Sequence, residues 1–183
     1  MESSPIPMSA SFNGQVRQLV LALDKLQPGE LAHSDRTSVY SVACGELLAL
    51  TDLELLQLRC AAQLCGVARK IRHVVCGDAK EALGAEEWLK VAQTNLEVAP
   101  VAPPPAWFSG TVLLMDAPYV VESEAVPLSA QIIACCEAFD AGCKDHSREE
   151  AFELIRRQPW SPTVIQALGT VLLLVNPVPL SDF

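Results

Sequence analysis

Apolar residues recur every three or four positions through segment after segment of this chain, and that spacing restricts it to packed helices. Val16, Leu19, Val20, Leu23 and Leu26 form the first such face, which Pro28-Gly29 ends. A second segment, entered from His33-Ser34-Asp35-Arg36, places Val39, Val42, Ala43, Leu47 and Leu50 inward. Thr51 and Glu54 have capping-box spacing, each able to satisfy an orphan backbone donor of a first turn. The helix they open carries Leu53, Leu56, Cys60, Leu64 and Val67. A short helix follows around Ala85 to Ala92, with Trp88 and Val91 inward. Leu128, Ile132, Cys135, Cys136 and Phe139 share a later face. Ser147 and Glu150 make a second capping box before Phe152, Leu154 and Ile155. Ser161 caps a last helix with Pro162 at its first position, where the missing N–H costs nothing. That helix carries Val164, Ile165, Leu168, Val171, Leu172 and Val175. Only Thr111 to Leu114 and Tyr119 to Val121 are ambiguous with strand. The expected fold is an all-α helical bundle of about six to eight helices. Its core should include Leu19, Leu23, Val39, Leu47, Leu56, Leu64, Ile132, Phe139, Phe152, Ile155 and Leu168.

The stretch Ala99-Pro100-Val101-Ala102-Pro103-Pro104-Pro105 cannot be helical, because each proline lacks an N–H and clashes with the preceding turn. The pieces on either side look too short to fold separately, so residues 98–106 read as an internal loop of one domain spanning 13–176. Residues 1–12 read as a flexible N-terminus and 177–183 as a loose tail.

Charge and composition exclude several functions. With 13 basic and 22 acidic residues the net charge is −9, which argues against a nucleic-acid partner, since that would need a basic stripe. No apolar run approaches the ~20 residues of a membrane helix, and the N-terminal sequence has no basic region followed by an apolar core, so a soluble cytoplasmic protein is expected. The seven cysteines, Cys44, Cys60, Cys65, Cys76, Cys135, Cys136 and Cys143, include no Cys-x-x-Cys pair. They read as small buried hydrophobes in a reducing compartment. His73 and His146 lie in polar contexts and read as exposed. The basic run Arg69-Lys70-Ile71-Arg72-His73 reads as a solvated helix end favourably set against the helix dipole.

The order of elements resembles an HD-GYP domain. His33-Ser34-Asp35-Arg36, a helix, the leucine-rich Leu47 to Leu58 and then Ala61-Ala62-Gln63-Leu64-Cys65-Gly66-Val67-Ala68-Arg69 are similar to the start of that family. Glu86-Glu87-Trp88 resembles its Pro-Glu-Glu-Trp helix. The segment from Val126-Pro127-Leu128 to Ala138-Phe139-Asp140-Ala141 resembles its helix Ile-Pro-Leu-x-Ala-x-Ile-x-x-Val-Ala-Asp-x-Phe-Asp-Ala. Ser147-Arg148-Glu149-Glu150-Ala151 and the helix capped by Ser161-Pro162 follow in the family's places. The resemblance implies an HD-domain-like bundle and, for the family, hydrolysis of cyclic di-GMP on two or three metal ions.

For chemistry the comparison is negative. His33 matches the first ligand histidine, but the paired His-Asp falls on Cys65 and Gly66, and the lysine after it becomes Arg69. The next histidine falls near Thr94 or Asn95, and a following His-His pair near Met115 and Asp116. The Gly-Tyr-Pro loop is missing. The final ligand Asp aligns with Glu137, and Asp140 matches the second Asp of that helix. His33, Cys65, Gly66 and Glu137 therefore read as vestigial ligand positions, with no metal or other cofactor and no catalytic residue expected. Glu137 and Asp140 are expected to bond to backbone or to pair with Arg36 or Arg69. The resemblance then implies an inactive regulatory or protein-interaction module, with a cyclic-dinucleotide signalling protein such as a diguanylate cyclase domain as partner, or a homodimer through the last helix. Trp107-Phe108 and the proline-rich connector are further candidate contact surfaces. Two alternatives stand beside this reading. One is a metal-dependent phosphohydrolase on His33, Glu137 and Asp140 with Asp116 or Cys65. The other is a non-hydrolysing nucleotide sensor using Arg36, Arg69 and Arg72.

Overall fold

The computed structural model describes residues 10–75, 83–100, 102–116 and 126–174. Within them the chain is all-α, with eight helices: α1 (Ala10–Leu26), α2 (Glu30–Leu47), α3 (Asp52–Val75), α4 (Ala85–Asn95), α5 (Phe108–Asp116), α6 (Leu128–Gly142), α7 (Arg148–Arg156) and α8 (Pro162–Leu174). Thr111 to Leu114, ambiguous in sequence, are helical in α5. Tyr119 to Val121, Cys76, Val175 and the tail from Pro177 lie outside the described residues, as do the side chains of His73 and Asp116.

Both capping boxes form. The Thr51 N–H donates to Glu54 Oε2 (2.8 Å) and the Glu54 N–H to Thr51 Oγ1 (3.3 Å), opening α3. Ser147 and Glu150 make the same reciprocal pair at α7. Between α1 and α2 the chain reverses at Gly29, whose φ of 98° is a left-handed turn that a side chain would strain. Asp24 accepts from the Gly29 and Leu31 N–H groups and fixes this corner.

α2 and α3 are central. α2 packs on α1, α3, α6 and α8, while α3 packs on α1, α2, α4, α5 and α6. The triangle of α2, α3 and α6 positions the candidate site. Leu19, Leu23, Leu64, Ile132, Phe139, Ile155 and Leu168 are buried as expected; Leu56 and Phe152 are half-buried. Val39 and Leu47 are instead exposed, by 57% and 48%. The inward face of α2 is made of His33, Ser34, Thr37, Ser38, Ser41, Cys44 and Gly45. Small side chains let neighbouring helices approach closely, so this face is buried although it is barely apolar.

A second centre is aromatic. Phe12 stands edge-on to Phe108 and Trp107, with ring centroids 5.0 and 5.6 Å away, and Trp88 packs on Phe108 at 5.8 Å. Phe108 is thus a core residue and not a contact surface, and Trp107 is half-buried beside it. Phe12 belongs to α1 and is fully buried, so the helical core starts within the stretch assigned to the N-terminal arm. The proline-rich connector links α4 to α5. Gln15, buried in α1, accepts from the Ala102 N–H, and Gln57 of α3 donates to the Trp107 carbonyl. Five of the six described cysteines are buried and Cys143 is half-buried; all six are free thiols. No described helix is long and apolar enough to cross a membrane.

Candidate functional site

His33 lies one turn inside α2, which begins at Glu30, and faces inward. Its side chain is 2% exposed. Asp140, one of the pair three residues apart on α6, is 3% exposed and accepts from His33 Nδ1 at 2.7 Å. Arg36, one turn beyond His33, grips the same carboxylate from the side, donating from Nε (2.5 Å) and from the second terminal nitrogen (2.9 Å). This forked geometry suits a carboxylate and is among the stronger protein hydrogen bonds.

The other side of the imidazole faces α3 and Glu137. His33 Nε2 is 3.9 Å from Glu137 Oε1, and that oxygen also accepts from Arg69 of α3 at 2.6 Å. Cys65, one turn before Arg69, is buried, and its Sγ lies within 4.8 Å of the His33 and Glu137 ligand atoms. Glu30 completes the rim: its Oε2 is 3.7 Å from Arg69. Gly66 lets this rim close. A Cβ there would lie 2.5 Å from Glu30 Oε2 and 3.1 Å from Leu23 Cδ2. The expected pairing of Glu137 and Asp140 with Arg69 and Arg36 is therefore present, and His33, Cys65, Gly66 and Glu137 share one site.

Of the other aligned positions, Thr94, Asn95 and Met115 do not join it. Thr94 and Asn95 donate to carbonyls of their own helix, at Lys90 and Val91. Met115 is a buried core side chain. His146 is exposed, as its context suggested. In the sequence Glu30 is marked by nothing except its place three residues before His33, on the same side of α2.

The charges are mutually dependent. Burial pulls the His33 imidazole down, but the hydrogen bond to Asp140 and the nearby Cys65 and Glu137 outweigh it and raise the pKa to about 11. Burial pushes Asp140 and Glu137 up, yet His33 with Arg36 holds Asp140, and His33 with Arg69 holds Glu137, below the ordinary carboxylate range. Burial raises the Cys65 thiol, so near neutral pH it is a neutral S–H and no ready nucleophile. The imidazolium and the guanidinium groups of Arg36 and Arg69 then share the two carboxylates.

Stability should follow pH accordingly. The His33 contribution is complete below its ordinary value of 6.5 and is lost as pH rises toward about 11. The Asp140 and Glu137 contributions are complete above 3.8 and 4.5 and are lost on acidification. Melting temperature is expected to fall on the alkaline side of about pH 6.5, and His33→Gln should flatten that limb. An alkaline limb unchanged in His33→Gln would assign it to other groups.

Comparison of the chain with protein-family models, with curated proteins and with solved structures finds no match.

Proposed function

We propose that this protein is a catalytically inactive module on an HD-GYP-like helical scaffold, working through protein contacts in cyclic-dinucleotide signalling. The reading is supported by one observation above all. His33, Cys65 and Glu137, three of the positions aligned with the family's ligands, meet between α2, α3 and α6, but Glu137 and Asp140 are taken up by the guanidinium groups of Arg69 and Arg36. A binuclear centre needs several imidazole and carboxylate lone pairs converging on two ions. One imidazole, one thiol and two paired carboxylates do not supply them. The same pairs weaken the nucleotide-sensor alternative, since they engage two of its three arginines.

The contact surface of this reading is the C-terminal helical pair. Leu173 and Leu174 of α8 are 89% and 74% exposed. Beside them Phe152, Trp160, Ile165 and Leu172 line a groove of about 890 Å³ between α7 and α8. Exposed apolar surface of this kind marks an interaction site, either for a diguanylate cyclase domain or for a second copy.

Two measurements test the inactive reading together. Purified protein supplied with manganese or iron should not turn over cyclic di-GMP. Its melting temperature should not rise with either ion, and His33→Ala should be equally insensitive, because an ion bound only to the folded state must stabilise it. Turnover, or a manganese-dependent rise abolished by His33→Ala, would instead establish the phosphohydrolase alternative.

A further inference from the structure

We propose that His33 Nε2, Cys65 Sγ and a Glu137 carboxylate oxygen form a mononuclear site for a thiolate-binding divalent cation, with Zn²⁺ the best match. The three side chains come from α2, α3 and α6, and their ligand atoms all lie within 4.8 Å of one another. Around a tetrahedral zinc, with Zn–S about 2.3 Å and Zn–N about 2.0–2.1 Å, ligand atoms stand roughly 3.3–3.8 Å apart. His33 Nε2 and Glu137 Oε1 are 3.9 Å apart and no pair exceeds 4.8 Å, so closing the site takes a contraction of at most about 1–1.5 Å. Water supplies the fourth position.

The surroundings are built for a ligating imidazole. Asp140 is a buried carboxylate that can only accept, so His33 Nδ1 carries a proton and donates to it at 2.7 Å. That leaves Nε2 as the atom aimed at Cys65 and Glu137. A carboxylate holding the far nitrogen is the usual support of a metal-bound histidine, fixing its tautomer and raising its basicity. Arg36 in turn fixes Asp140.

Arg69 is the group the cation displaces. Its side chain is 41% exposed and stands between two carboxylates, 2.6 Å from Glu137 and 3.7 Å from Glu30. Glu30 Oε2 is buried without a hydrogen-bond partner. Releasing Glu137 to a cation lets Arg69 move onto Glu30 and satisfy that oxygen. The Nε2 proton of the imidazolium and the Cys65 S–H proton leave to solvent. The incoming 2+ replaces them, so local charge is conserved.

This site differs from the one the resemblance implies: it holds one ion, uses a thiolate and has Asp140 behind the ligands. It does not rest on the inactive-module reading. Thiolate and imidazole favour zinc over manganese, so it is compatible with insensitivity to manganese. Cobalt(II), a spectroscopic stand-in for zinc, is the probe. The full chain, purified and stripped with chelator, is expected to bind one cobalt per chain with a thiolate-to-cobalt charge-transfer band, and zinc should displace it. Cys65→Ser should abolish the band and weaken zinc binding at least about tenfold. Asp140→Asn should weaken zinc binding about 10–100-fold while keeping the band. Cys60→Ser and Cys143→Ser should change neither. Circular dichroism confirms that each variant is folded. Absence of the band in the folded parent, or a band that survives Cys65→Ser, would overturn the proposal.

Discussion

Asp140→Ala is expected to destabilise the protein by about 3–5 kcal/mol, a large part of the ~5–15 kcal/mol that holds a domain folded. Removing this carboxylate leaves the buried His33 imidazolium without its 2.7 Å partner and strips Arg36 of both its hydrogen bonds to Asp140. Breaking one member of a buried ionic group costs more than the group contributed, because the buried charge left behind loses a partner that water does not fully replace. Chemical denaturation at neutral pH measures the loss. His33→Leu combined with Asp140→Ala should recover part of it, since the stranded imidazolium is then gone. A loss below about 1 kcal/mol for Asp140→Ala would mean that water readily replaces the carboxylate and the trio is not a buried unit.

The second large effect concerns Cys65→His with Gly66→Asp, which restores the ligand pair that the resemblance leads one to expect. The double variant should gain no phosphodiesterase activity and should lose about 2–4 kcal/mol of stability. Space is one reason, since even a Cβ at Gly66 would press on Glu30 Oε2 and Leu23. Charge is the other, because a new carboxylate would meet that of Glu30, whose buried oxygen already has no hydrogen-bond partner. Gly66→Ala separates the two effects by adding the Cβ without the charge. Turnover of cyclic di-GMP by the double variant would end the inactive-module reading.

Much of the architecture could be read from local chemistry. A capping box needs only residues three apart, so Thr51 with Glu54 and Ser147 with Glu150 were visible in the chain. Helices whose buried face is strongly apolar, such as α1 with Val16, Leu19, Val20 and Leu23, declared themselves by periodicity. The pairing of Glu137 and Asp140 with Arg69 and Arg36 was also foreseeable, since buried carboxylates require cations and few were at hand.

Where burial does not follow hydrophobicity, the sequence was silent or misleading. Hydrophobic periodicity reports the free energy of removing side chains from water; it does not report how closely two helices approach. In α2 the second quantity governs: Ser34, Thr37, Ser38 and Ser41 are packed inside while Val39 and Leu47 face outward. The meeting of His33 with Cys65, and of Glu30 with Gly66 and Arg69, depends on how α2 crosses α3, and no local pattern encodes that crossing. The sequence alone determined the all-α class, the helix starts and the residue types available to a site. The packing of α2, α3 and α6 decided which of them touch, because contacts between distant segments follow from the shapes of whole helix faces and not from the spacing within any one of them.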